Sequence, residues 1–486
     1  MECLITIEQA YRFACLSGDF NPIHIDPVRA RRLRFGVTVA HGINVLLVAL
    51  DNGLAGRNAP CRLKGLKVNF SGPIPTGEKF KIAVVESAPD KLRMEVIGPR
   101  GAAATIEADL ALGMGRQLRL AGEHEHGTGV PRVLAFKEAA NAGGKVPLVA
   151  SPMGVAEIFP TAFRCLPLGQ IATLLATTRI VGMECPGEHS IFIGLDLRFI
   201  CAADAVLGAA LSYKVERADE RFDSLHLHIQ GPGVVGRLTT LFRATPVSQL
   251  PFAKVREHTP GNAFAGQRAL VIGGSRGLGE VTAKVVAAGG GETAITYRLG
   301  KTDAQAVAAE ISARGGRCVV AHYDVEAPAN NLKEALPVGW NPTHVYYFGT
   351  PLIRFNRGAW DANLFRQFVR FYVDGFAVSV SAIEAQFPDA SERRVFVYPS
   401  TSFLAKPPGD GMEYVAAKAA GEVLCKGLMA KMPSITIMAV RLPRVLTDQT
   451  GAVQGGKPPS AFALAVKLVT DAHRAGLQRQ AILKTR

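Results

Sequence analysis

Leu66-Lys-Val-Asn-Phe-Ser-Gly-Pro-Ile74 recurs downstream as Leu195-Asp-Leu-Arg-Phe-Ile200, with Phe199 standing 129 residues after Phe70. A constant offset held over several positions reads as an internal repeat. Each copy follows an apolar helix candidate. The first, at 42–54, carries Ile43, Leu46, Leu47 and Leu50 at helical spacing; the second lies at 170–181. Each copy also precedes alternating, strand-like runs, at 79–85 and 91–97 in one and at 209–215 and 224–229 in the other. The pattern predicts an α+β unit in which one helix is wrapped by an antiparallel sheet, twice over.

Past the second copy the periodicity changes. Short apolar runs at 268–273, 293–298, 317–323, 344–348, 394–398 and 435–440 alternate with helical stretches, as in a parallel sheet buried on both faces. A doubly wound α/β domain is therefore expected over 266–486. Stretches rich in glycine or proline at 116–149 and 246–265 read as linkers, bounding a first copy at 1–115 and a second at 150–245. A chain of 486 residues exceeds what one core sustains, which agrees with this partition.

Hydrophobic residues at 48% and charged residues at 20% exclude a disordered or fibrous chain. The formal charge of +14 favours anionic ligands and partners. Apart from Arg29, Arg31, Arg32 and Arg34 the basic residues are dispersed, and no nucleic-acid motif accompanies them, so no nucleic-acid partner is expected. No apolar run approaches the roughly 18 residues of a membrane span, and the first residues do not resemble a signal peptide. The eight cysteines, at 3, 15, 61, 165, 185, 201, 318 and 425, form no C-x-x-C pair and suit a reducing compartment. A cytoplasmic protein is expected.

Residues 13–26 read Phe-Ala-Cys-Leu-Ser-Gly-Asp-Phe-Asn-Pro-Ile-His-Ile-Asp, and Ala40-His41-Gly42 opens the next helix. Gly18-Asp19 and Asn21-Pro22 mark irregular backbone, which places Asp19 and His24 on a stiffened loop outside helix and strand. A carboxylate and an imidazole so held can share one water. Adding water across a thioester-conjugated double bond needs a base for the water proton and an acid for the alpha carbon, and Asp19 and His24 can divide those roles. Backbone N–H groups at the helix start near Gly42 can meet charge developing on the thioester oxygen. The plain alternative is a turn with a satisfied loop histidine. His124-Glu-His126 reads as a solvated pair in the first linker, and no metal site is expected.

The string S-G-D-x-N-P-I-H followed by A-H-G resembles the MaoC-like hydratases, also called hydratase 2, over residues 1 to about 115. The resemblance implies a hotdog fold, action on (R)-3-hydroxyacyl thioesters, Asp19 and His24 as the catalytic dyad, and Asn21 as support for the loop. The second copy lacks a matching Asp/His segment. By the same resemblance it is a non-catalytic partner that completes a double hotdog and shapes the acyl tunnel.

Leu270-Val-Ile-Gly-Gly-Ser-Arg-Gly-Leu-Gly279 sets Gly273, Gly277 and Gly279, with Ser275, Arg276 and Leu278 between them, at an expected strand-to-helix turn. Missing side chains there admit a pyrophosphate to the helix N-terminus. The next strand ends in Thr296-Tyr-Arg298 without an acid for a ribose hydroxyl; Arg298 and Arg276 are instead placed for a 2′-phosphate, favouring NADP(H) over NAD. Tyr414-Val-Ala-Ala-Lys418 puts a phenol and an ammonium on one helix face, where the cation makes the phenol a better proton donor.

Together these features are similar to the short-chain dehydrogenases/reductases, with a Rossmann-type sheet, over 266–486. The resemblance implies Tyr414 as the acid, Lys418 on the nicotinamide ribose, and a hydroxyl about thirteen residues before the tyrosine, at Thr401 with Ser400 and Ser402 adjacent. It places Asp324 and Val325 at the adenine, Gly349 in the cofactor cleft and Thr447 at the carboxamide. Three positions depart from the family pattern. Tyr346-Tyr-Phe-Gly349 stands for Asn-Asn-Ala-Gly, Tyr372 for the relay asparagine, and Arg444 for a glycine.

The expected function is a bifunctional enzyme that reduces 3-oxoacyl thioesters with NADPH and dehydrates the (R)-3-hydroxyacyl product to the trans-2-enoyl thioester. Its substrate would ride on acyl carrier protein or coenzyme A, in a chain that can form a homo-oligomer. The alternatives are oxidative, with enoyl-CoA hydration followed by dehydrogenation; a dehydratase with a weakly active, cofactor-binding reductase domain; and a non-catalytic acyl-binding scaffold.

Overall fold

The computed structural model describes all residues except 34, 58, 116–117, 201–208, 244, 328–331, 357, 389–393, 446, 449–458 and 485–486. Arg34 and Cys201 thus lie outside the described residues. The chain forms two compact units, Met1–Thr245 and Pro246–Arg486.

In the first unit ten strands make one sheet: β1 (Glu2–Leu4), β2 (Cys61–Phe70), β3 (Lys79–Ala88), β4 (Lys91–Gly98), β5 (Gly101–Leu112), β6 (Gly143–Pro147), β7 (Ser190–Phe199), β8 (Ala210–Asp219), β9 (Ser224–Gly231) and β10 (Val234–Phe242). Their order is β1-β3-β4-β5-β2-β7-β10-β9-β8-β6, and every pairing is antiparallel. The repeated sequence forms β2 and β7, which pair with each other at the centre, Leu66 opposite Leu197 and Val68 opposite Leu195. Alternation is clean in β4, where Leu92, Met94 and Val96 are buried between exposed neighbours. The helices Gly42–Gly53 and Leu168–Arg179 supply the apolar filling, and the second is buried almost throughout. The expected linker 116–149 is only partly a connection. It contains β6, which hydrogen-bonds to β8 as an edge strand, where its glycines and Pro147 are tolerated.

In the second unit β11 (Arg268–Ile272), β12 (Glu292–Tyr297), β13 (Arg317–His322), β14 (His344–Tyr347), β15 (Arg394–Thr401) and β16 (Ile435–Leu442) form a parallel sheet in the order β13-β12-β11-β14-β15-β16. Successive β11 residues feed different cores. Ala269 and Val271 join one with the helices Gly277–Ala288, Lys301–Ser312 and Ala461–Lys484; Leu270 and Ile272 join another with Ala362–Val369, Gly375–Gln386 and Met412–Lys431. Both faces of the sheet are therefore covered, which is why its strands read as continuous apolar runs.

Candidate active sites

The first site begins where the helix Ile7–Ser17 ends. A capping box between Thr6 and Gln9 starts that helix, and Gly18, at φ 76°, ends it in a left-handed turn. Gly18 releases Asp19 into the interior, where it is 1% exposed. Its Oδ2 accepts from the Thr178 hydroxyl (2.7 Å) and its Oδ1 from the Asn21 backbone N–H (3.2 Å). A side chain at Gly182 would overlap the carboxylate.

His24 is not on a loop as the sequence suggested. Asn21 as N-cap, accepting from the Ile23 N–H (3.2 Å), and Pro22 in the first turn nucleate a one-turn helix, Pro22–Ile25. The same Asn21 donates to the carbonyls of Gly182 and Gly187 (both 3.1 Å), fastening this segment to the second half of the unit.

His24 donates Nδ1–H to the Val39 carbonyl (2.7 Å), which leaves Nε2 as a lone-pair acceptor. Ligand atoms of Asp19, His24 and His41 lie within 4.8 Å of one another. Two hydrogen bonds of ~2.8 Å meeting at one tetrahedral water span about 4.6 Å, so a single water fits between the carboxylate and an imidazole. His41 stacks on His24 at 3.8 Å with the planes 25° apart, and its Nε2–H donates to the Asp19 carbonyl (3.0 Å). Burial pushes the Asp19 carboxyl above its ordinary range against the pull of His24, and lowers His24 and, further, His41.

The helix Gly42–Gly53 has no side-chain cap, and the Phe70 ring lies where a Gly42 side chain would stand, 3.1 Å from the position of its Cβ. His126 is not a solvated linker residue: half-buried, it meets an Arg179 Nη1–H at Nε2 (2.7 Å). The sequence reading missed His41, Thr178, Gly182 and this contact. His41 lies inside the quoted Ala-His-Gly; Thr178 and Gly182 come from the distant copy and carry no local signal.

The second site is built at the C-terminal ends of β11, β12, β14 and β15. Gly273 (φ 78°) and Gly277 (φ 58°) hold left-handed turns, and a Cβ on Gly273 would press on the Phe348 carbonyl at 2.8 Å. Gly279 lies against the Gly273 carbonyl with no room for a side chain. Thr447 flanks Gly277, and Val325 flanks Gly349; Ser275 is buried in the turn and Leu278 packs into the core behind it. This cradle, which side chains would fill, fits a dinucleotide.

The two arginines are already engaged. Arg298 pairs with Asp324 (3.0 Å) and Glu326 (2.7 Å), and Arg276 with Asp448 (2.7 Å). The Thr401 side chain partly offsets the effect of burial on the Tyr414 phenol, whereas Ser400, on the other strand face, donates to Glu422 (2.6 Å) and is not brought to the tyrosine. Burial raises Tyr414 to about 12 and lowers Lys418 to about 7. Lys418 donates to the Pro399 carbonyl (2.5 Å).

Comparison with known proteins bears on both sites. Residues 2–105 match the family "MaoC like domain" and residues 267–338 match "short chain dehydrogenase". The chain carries a MaoC-like dehydratase domain followed by a short-chain dehydrogenase domain. It is 35% identical over 79 residues to the (R)-specific enoyl-CoA hydratase of Aeromonas caviae, 16% of this chain and 58% of that protein. It is 43% identical over 63 residues to the 3-oxoacyl-[acyl-carrier-protein] reductase of Synechocystis sp., 13% of this chain and 26% of that one. The chain thus spans little over half of the first relative and about a quarter of the second. Among solved structures, a short chain dehydrogenase from Burkholderia cenocepacia in complex with NADP aligns at 26% identity and a TM-score of 0.37, over 42% of this chain and 90% of the other. No helix among the described residues is long and apolar enough to cross a membrane.

Proposed function

We propose that the chain reduces 3-oxoacyl thioesters with NADPH in its short-chain dehydrogenase domain and dehydrates the (R)-3-hydroxyacyl product to the trans-2-enoyl thioester in its MaoC-like domain. The observation that carries the reading is the Asp19–His24 separation, which one water can bridge. In dehydration one group of the pair takes the C2 proton while the other protonates the departing 3-hydroxyl, which leaves as water between them; hydration is the reverse. The uncapped helix start at Gly42 supports N–H donors for the thioester oxygen, with Asn21 holding the segment in register. We read the first unit as a double hotdog whose second copy contributes no acid or base, and the second as a doubly wound Rossmann-type domain.

In the reductase, Gly273, Ser275, Gly277 and Gly279 would hold the pyrophosphate, Val325 the adenine, Gly349 the cleft wall, Thr447 the carboxamide, and Lys418 the ribose. Bound NADPH supplies a hydride to the 3-oxo carbon. Tyr414, steadied by Thr401, gives the oxygen its proton. A basic chain suits a carrier that is acidic or bears phosphates. The relatives' names, an enoyl-CoA hydratase and a 3-oxoacyl reductase, agree with the two half-reactions.

The test is to follow crotonyl-CoA hydration and NADPH oxidation by acetoacetyl-CoA in wild type and Asp19→Asn. Hydration should fall by at least about a hundredfold while NADPH oxidation is unchanged, the scale of general acid–base catalysis. Equal hydration in the two proteins would end the dyad assignment. The oxidative reading, with NAD, is favoured by one observation: Asp324 and Glu326 surround Arg298 at the ribose end of the cleft. A preference for NADH in the same assay would select it.

A further inference from the structure

Lys418 is enclosed by three tyrosines. Its Nζ lies 3.6 Å from the centre of the Tyr372 ring, 5.2 Å from that of Tyr398 and 5.9 Å from that of Tyr414. The residue is 4% exposed, and the Pro399 carbonyl is its one hydrogen-bond acceptor among the described residues. An ammonium can donate three hydrogen bonds, so the Tyr372 face occupies a place that a second acceptor or a water would otherwise fill.

Tyr372 is itself held from several sides. Phe368 stacks on it (5.8 Å, planes 9° apart), Tyr414 meets it edge-on (5.7 Å), and its hydroxyl shares a hydrogen bond with the Thr350 hydroxyl (2.7 Å). It sits in a π-helical turn, Arg370–Asp374, whose Phe371 carbonyl accepts from the Tyr347 hydroxyl (2.6 Å). Gly375 makes room for that hydroxyl: a Cβ there would stand 2.8 Å from it. Gly421 likewise leaves room for the Tyr398 hydroxyl. The tyrosines at 347 and 372, which looked like unrelated departures in the sequence, are therefore two ends of one arrangement.

We propose that Tyr372 is a positioning residue that holds the Lys418 ammonium through its ring face, so that Lys418 meets the cofactor ribose and supports Tyr414 without a water-bridged relay. This rests on the reductase reading. The ring favours the charged lysine, so its removal moves the lysine titration to lower pH. Among the described residues, the titratable groups facing Lys418 are Tyr372, Tyr398, Tyr414 and Cys425.

The experiment uses the full chain as wild type, Tyr372→Phe, Tyr372→Leu and Tyr372→Asn, with thermal unfolding to establish that each folds. NADPH affinity is measured against pH by fluorescence, and turnover with acetoacetyl-CoA alongside. Tyr372→Phe should keep the wild-type binding profile, because the ring remains. In Tyr372→Leu binding should fall off about one pH unit earlier on the alkaline side, with kcat down about tenfold and the thioester KM unchanged. Equal effects of Phe and Leu would overturn the proposal, as would turnover by Tyr372→Asn above wild type. If wild type binds NADPH but reduces no thioester, the reductase reading fails while the binding profiles still decide the role of Tyr372. A wild type that binds no NADPH overturns both.

Discussion

Asp19 is a carboxylate held where an ion is costly. Thr178 and the Asn21 N–H each give it one hydrogen bond, yet burial outweighs them and raises its pKa. A raised folded-state pKa means that the folded protein binds the proton more tightly than the unfolded chain. Stability is then complete below the ordinary carboxylate value of about 4 and declines as pH rises through the folded-state value. Asp19→Asn removes that decline. The variant should melt above wild type at pH 7, and the difference should shrink towards pH 4 as measured by calorimetry; a variant that melts lower at every pH would contradict this reading. Asp19, Asn21 and His24 were legible because one short string carries them. The partners that set the electrostatics of Asp19 were not, because Thr178 is 159 positions away and looks like any helix threonine.

At the scale of elements, the glycine turn after β11 shows how little space separates strand from helix. A methyl group on Gly279 would collide with the Gly273 carbonyl, which is backbone and cannot rotate aside. Gly279→Ala should cost about 1–3 kcal/mol of domain stability and lower NADPH affinity, read by chemical unfolding and fluorescence titration; full affinity in that variant would remove the turn from the cofactor site. Parallel strands were easy to read from composition, since burial on both faces leaves unbroken apolar runs. β6 was not: Gly143-Gly-Lys-Val-Pro147 has the residues of a breaker, and only its place on the sheet edge makes it a strand. The turn at Arg370–Asp374 was equally hidden, because the tyrosine that satisfies its carbonyl lies on β14.

Over the whole molecule, each unit buries its own core, so the two proposed half-reactions need not share a fold to share an intermediate. Within Met1–Thr245 the opposite holds. The catalytic candidates stand in the first copy, while Thr178, Gly182 and the carbonyls that hold Asn21 stand in the second. Residues 1–115 alone should not hydrate crotonyl-CoA, whereas 1–245 should; hydration by the shorter piece would show that the second copy is dispensable. The pairing of β2 with β7 carries this one step further. Like strands meeting antiparallel is how two identical subunits join about a twofold axis, and here a continuous backbone ties that seam together. Such a junction cannot come apart on dilution, so specific hydratase activity should stay level at enzyme concentrations where a seam between separate subunits would have parted.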